Sequence, residues 1–282
     1  YLELLHLRKR IESFGLALEA IENVPIHFYE KALLGVAGRD EQIENYQATI
    51  RAVGRAGIPI LGYHWMANRV WRTAKHDRTR GGAQISSFDM SLAERAPDTF
   101  DTRLSEDQVW SNYRYFIEAV LPVAEEEGVV LALHPDDPPV PSLGGVARVF
   151  RNLAGFRRAM EEIAPSPWHR LDFCMGTWAE MGMDEMLAGL RHFLAARRIA
   201  YIHFRNVRGT VPCFEEAFID DGDVDVVAVM RLLVEAGFDG ILIDDHVPHM
   251  VNDTEWMHRG RAYSAGYIKG LMHAVQALHA DH

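Results

Sequence analysis

Cysteine is nearly missing: Cys174 and Cys213 are the only two among 282 residues. Two cysteines in so long a chain do not make a disulfide framework, so a reducing cytoplasm is the default setting. Positive charge is also scarce. Lys and Arg number 29 against 40 Asp and Glu, a formal net charge of −11. That balance disfavours nucleic acid as a partner, because phosphate contacts want a basic face. No run of about 18 apolar residues exists, so nothing is expected to span a membrane. No signal-peptide pattern opens the chain. No G-x-G-x-x-G follows an apolar run, which weakens a dinucleotide-binding reading. No low-complexity tract or flexible linker divides the chain, and 48% of it is hydrophobic. One barrel-type domain over residues 1–282 is therefore expected, since such domains commonly reach about 250 residues.

What is present is an alternation. Short apolar runs rich in β-branched residues each precede a longer amphipathic segment. The runs are residues 16–21, 58–65, 128–135, 170–176, 199–207 and 240–247. Helices are predicted over 1–14, 40–56, 105–127, 146–163, 183–197, 224–236 and 260–279, with Ser105 as an N-terminal cap. Near-continuous apolar strands alternating with helices mean a parallel sheet covered by helices. Six strands fall short of the roughly eight that a closed (β/α)8 TIM barrel needs. The reading favoured is such a barrel, with two strands lying before Tyr1.

Ligand chemistry on parallel sheets gathers at the carboxyl ends of the strands. There, the third run ends in His134, the fourth carries Cys174, the fifth His203 and the sixth Asp244, Asp245 and His246. Each alone has an ordinary structural explanation. Together, two imidazoles, a thiol and a carboxylate at one mouth make a divalent metal site, with Zn, Fe(II), Co or Mn favoured over Mg or Ca.

These residues sit in longer matches. "HPDDPP" at 134–139, "FCMG" at 173–176, "HFRNV" at 203–207, "FEEAFIDDGDVD" at 214–225 and "AYSAGYIKGL" at 262–271 resemble the mannonate dehydratase family. So do "ENVPIH" at 22–27 and "ENYQATIRAVGRAGI" at 44–58. The resemblance implies a xylose-isomerase-like TIM barrel that dehydrates D-mannonate to 2-keto-3-deoxy-D-gluconate in hexuronate breakdown. It implies Mn(II) or Fe(II), with Zn(II) as a further option, held by His134, Cys174, His203 and Asp245. The sequence departs from the family at Ile243-Asp244, where Arg-Pro is usual. It departs again at His249, one residue further from the Asp-His pair, and at Gly176-Thr177 in place of Gly-Ser. These departures leave a sugar isomerase or epimerase on the same barrel, or a non-catalytic metal-binding paralogue, as alternatives.

Dehydration needs a base for the proton on C2 and an acid for the hydroxyl leaving C3. His246 and Tyr263 are the candidates. Asp137, Arg205, Asn206, His64, Arg72 and Glu216 are expected to bind the sugar acid, Arg205 through its carboxylate. Arg205 could instead pair with Glu215 or Glu216, and Glu216 could merely brace its loop. Asp136 and Asp137 could hydrogen-bond their own loop. Cys213 matches no ligand position. A small-molecule sugar acid is the expected partner, and a homo-oligomer, a dimer, the expected assembly.

Overall fold

A computed structural model describes residues 1–280. Its strands in chain order are β1 (Ala20–Glu22), β2 (Ile60–His64), β3 (Ala74–Arg78), β4 (Gln84–Asp89), β5 (Val130–His134), β6 (Ser142–Leu143), β7 (Val146–Ala147), β8 (His169–Cys174), β9 (Ile199–His203), β10 (Asn206–Thr210), β11 (Cys213–Ala217) and β12 (Ile241–Ile243). Six of them, β1-β2-β5-β8-β9-β12, form one parallel sheet in sequence order, and the sheet curls into a half-barrel. Helices cross between successive strands, the longest of these being Arg39–Arg55 and Glu106–Glu127, and a further long helix, His258–Ala280, follows β12. Ser105 caps Glu106–Glu127 through a capping box with Gln108. No helix among the described residues is long and apolar enough to cross a membrane.

Side chains alternate between the two faces of each parallel strand. Leu61, Tyr63, Leu131, Leu133, Leu171 and Phe173 point outward and join the main core under the helices. Ala20, Ile60, Val130, Ala132 and Ile241 belong to a smaller interior cluster. The interior is tight. A Cβ on Gly62 would lie 2.1 Å from the Tyr201 hydroxyl and 2.9 Å from Glu22 Cγ, so only glycine fits there.

Three expectations are corrected. The first strand covers 20–22 rather than 16–21, so it ends on Glu22. The stretch 146–163 opens in the β6–β7 hairpin, and its helix starts only at Leu153, where Asn152 caps it. The run 199–207 splits at His203, and Asn206 onward turns into a second sheet. That sheet is four-stranded, antiparallel, in the order β10-β11-β4-β3. It is rooted on the carboxyl side of β9, because only Phe204 and Arg205 separate β9 from β10.

Candidate metal centre and active site

The interior face of five of the six parallel strands ends on a polar residue. These are Glu22 on β1, His64 on β2, His134 on β5, Cys174 on β8 and His203 on β9. Register sets them level: His64 pairs with His134, and Cys174 with His203. One ligand atom from each of His134, Cys174 and His203 lies within 4.8 Å of the other two, and all three residues are buried. Asp245, just past β12, brings Oδ2 to 3.7 Å from His203 Nδ1 and 3.9 Å from Cys174 Sγ. The structure thus gathers the four side chains expected to meet.

Both imidazoles are oriented by their second nitrogen. His134 Nδ1 donates to the Pro135 carbonyl at 2.7 Å, leaving Nε2 with its lone pair. His203 Nε2 donates to Glu22 Oε2 at 2.8 Å and lies 3.4 Å from Asp172 Oδ2. His203 Nδ1 is buried without a hydrogen-bond partner among the described residues. A free imidazole nitrogen fixed by a carboxylate behind it is the usual preparation for a metal. Asp172, two residues before Cys174 on the same face, is fully buried, and burial raises its carboxyl to about 8.

The cluster's electrostatics fit a cation. Burial raises the Cys174 thiol, but Arg205 and the two imidazoles outweigh it and hold the thiol well below its ordinary range. Burial holds Asp245 up, yet His246, His203 and Arg205 keep it ionised. Burial disfavours charge on His134, and Asp172 and Cys174 reverse this, raising it to about 10. The same anionic pull that draws protons onto these imidazoles would draw a divalent cation, and metal binding releases such protons.

Behind the cluster lies a buried ion network. Arg205 Nη1 donates to Glu216 Oε2 at 2.8 Å. Its Nη2 reaches Thr177 at 2.9 Å, Glu180 at 3.1 Å and Asp137 at 3.2 Å, and its Nε lies 2.9 Å from Asp245 Oδ2. Arg72 pairs with both Asp137 oxygens and, at 2.7 Å, with Glu216. A Cβ on residue 176 would lie 2.3 Å from Arg205 Nη1, which explains Gly176 beside the cysteine. This bears on four of the residues expected to bind the sugar acid. Arg205, Arg72, Asp137 and Glu216 satisfy one another, so neither guanidinium is free for a sugar carboxylate. Replacing Arg205 by methionine is expected to destabilise the fold by about 3–5 kcal/mol, because it strands buried carboxylates. Chemical denaturation reads this directly, and a loss below about 1 kcal/mol would show the network to be dispensable.

Asn206 is engaged as well. Its Nδ2 donates to the Ile219 and Val224 carbonyls and its Oδ1 accepts from the Val207 and Val224 amides, which exhausts the amide on its own loop. Tyr263 stands on the last helix, more than a third exposed, with its hydroxyl 3.3 Å from Arg80 and its ring against Phe218. Burial and the nearby Asp220 raise its pKa, which disfavours the role of base and leaves that of acid. Asp136 braces its loop by accepting from the Phe150 amide.

A cavity of about 540 Å³ opens over the cluster, with His64, His134, His203, Asp245 and His246 in its wall. His64 is held neutral at about 4, by burial first and then by His134, and its Nδ1 accepts from the Met66 amide. The other nitrogen is then an N–H donor. His246 Nδ1 meets Glu216 Oε1 at 2.8 Å. Sequence reasoning missed Glu22, Asp172, Glu180 and the fully buried Arg148. Alternation from Cys174 back to Asp172 was a usable signal, and so was the last residue of the first strand.

A curled parallel sheet with its polar side chains level at the carboxyl ends defines a barrel of the xylose isomerase-like class. The xylose isomerase domain protein from Planctomyces limnophilus shares that fold, with a TM-score of 0.61 at 14% identity over 96% of this chain and 82% of that one. A family model described as D-mannonate dehydratase matches residues 1–103 and 95–282. The mannonate dehydratase of Streptococcus suis (strain 05ZYH33) is 32% identical over 302 residues, 96% of this chain and 81% of that protein. The crystal structure of mannonate dehydratase from Streptococcus suis serotype 2 has a TM-score of 0.89, covering 98% of this chain and 82% of that one. The chain belongs to the D-mannonate dehydratase family, and it is a hydro-lyase.

Proposed function

We propose that this protein dehydrates D-mannonate, or a close aldonic acid, to 2-keto-3-deoxy-D-gluconate, with a divalent metal held by His134, Cys174, His203 and Asp245. Mn(II) or Fe(II) is the metal proposed, and hexuronate catabolism in the cytoplasm the setting. One observation carries the reading. The two imidazoles have their outer nitrogens engaged by acceptors, while a nitrogen of each ring meets the Cys174 sulfur within 4.8 Å.

A cation bound there would stabilise the negative charge that builds on the sugar acid as C2 loses its proton. The protein's own groups do the rest. Glu22 and Asp172 hold the His203 ring in place. His64 offers an N–H to a sugar hydroxyl. His246 Nε2 takes the C2 proton, and the resulting imidazolium returns a proton to the hydroxyl leaving C3. Glu216 and Asp245 favour that imidazolium. Tyr263 has no part in the scheme.

The test is turnover on a panel of aldonic acids after metal stripping and reloading. A 2-keto acid is expected from mannonate, abolished by chelation and restored by Mn(II) or Fe(II). Metal-loaded protein that leaves every aldonic acid unchanged would overturn the reading. Interconversion of ketose and aldose pairs in the same assay would replace it with an isomerase.

A further inference from the structure

The wall of the cavity over the cluster holds a single arginine, Arg69, and no lysine among the described residues. Arg72 and Arg205 stand close by, but their guanidiniums are consumed by Asp137, Glu180 and Glu216. Arg69 is exposed, and no carboxylate pairs with it among the described residues. Its backbone is anchored while its side chain is not. Arg69 sits at φ +64°, in the left-handed region that favours glycine. Its N–H donates to the Met66 carbonyl at 3.1 Å, and its carbonyl accepts from Arg148 Nη2 at 2.6 Å. Arg148 is fully buried and also grips the Asp137 carbonyl at 2.9 Å and Asn68 Oδ1 at 3.1 Å. Asn23 and His246, in the same wall, share the left-handed backbone. Such conformations concentrate at functional sites because surrounding structure must enforce them.

The carboxylates of the wall are already engaged. Glu22, Asp137 and Asp245 line it. Glu22 is held by His203, Asp137 by Arg72 and Arg205, and Asp245 by Arg205, which leaves Arg69 as the wall's guanidinium with no carboxylate partner among the described residues. We propose that Arg69 receives the carboxylate of the sugar acid and makes the site select aldonate anions over neutral sugars of the same length. This rests on the reading of the cavity as a sugar-acid site. A guanidinium suits the role because it offers two parallel N–H donors to the two carboxylate oxygens.

Arg69→Gly removes the side chain and suits the left-handed backbone, so its melting temperature is expected at or above that of the parent. Arg69→Lys keeps the charge without the fork. On the metal-loaded enzyme, KM for mannonate should rise about 10- to 100-fold in Arg69→Gly, the range for a charged hydrogen bond, and recover in part in Arg69→Lys. The kcat should move less than about threefold, since the contact is made equally in ground and transition states. Bound metal should be unchanged. Calorimetry with mannonate and with mannitol, its neutral counterpart, separates this inference from the dehydration reading. If the parent makes no 2-keto acid yet binds mannonate, and Arg69→Gly weakens mannonate alone, Arg69 keeps its role and the reaction is lost. Equal mannonate affinity or KM in parent and Arg69→Gly overturns the inference. So does a parent that does not prefer mannonate to mannitol.

Discussion

Cys174→Ser is expected to lower metal affinity by at least about 100-fold, the upper range seen when a group behind a metal ligand is lost, and to lower turnover with it. The reason is charge. Arg205 and the two imidazoles hold the thiol far down, so Cys174 supplies an anionic donor inside a fully buried site. A serine hydroxyl in its place stays protonated and neutral. The metal would keep two imidazoles and one carboxylate, a set that loses the sulfur donor and one unit of compensating charge. The fold should tolerate the change. The side chains are similar in size, and Thr177 Oγ1, which donates to the sulfur at 3.2 Å, can donate to a hydroxyl as well. Metal content after dialysis, read beside a thermal melt, separates the two effects. Cys213→Ser is the control, because Cys213 is exposed on β11, away from the cluster. A Cys174→Ser protein that retains one tightly bound metal and parental turnover would remove the thiolate from the site.

The cluster was legible because three strands, two of them wholly apolar up to that point, break off on reactive side chains. Val130 to Leu133 are wholly apolar, and His134 follows. The same contrast marks His203, whereas Cys174 ends a strand that already carries Arg170 and Asp172. Glu22 escaped because the first run was ended one residue early, at Ile21, and because it closes a strand of only three residues that Glu19 precedes. The antiparallel sheet escaped for a different reason. β3 reads Ala-Lys-His-Asp-Arg, largely exposed and without alternation. Its sheet is completed by β11, whose Cys213 pairs with Asp89 across more than a hundred residues. No local pattern encodes such a partnership.

The arginines show where sequence reading stops. Arg205 beside His203 was rightly placed near the mouth, but its use depends on Glu180, Asp137 and Glu216 reaching it from three other segments. A guanidinium and a carboxylate near one site can bind a substrate or each other. Only the three-dimensional arrangement decides, and here burial decides for each other, since unpaired charges at that depth would be costly. Arg69, on an exposed turn after β2, carried no signal at all in the sequence.

The second large effect is expected at His246. His246→Asn should cut kcat by about 10²- to 10⁴-fold, the range for a positioned general base or acid, while leaving metal content intact. The ring's protonation pattern follows from its neighbours. Arg72 Nη2 donates to Glu216 Oε1 at 2.7 Å, and His246 Nδ1 meets the same oxygen at 2.8 Å. A carboxylate oxygen can accept from both, so Nδ1 carries the proton and Nε2 presents its lone pair. Arg72 also lies 3.2 Å from Nδ1, which cannot be a second donation to a nitrogen that already holds hydrogen. Nε2 lies 3.6 Å from Asp245 Oδ1. A proton gained there finds a carboxylate beside it and another behind the ring, which outweigh the burial that opposes charge. Asparagine can mimic the contact to Glu216, but it cannot take a proton near neutrality. The loss should therefore fall on kcat rather than KM. Turnover within about threefold of the parent would take proton transfer away from His246, since a genuine acid–base group is worth far more.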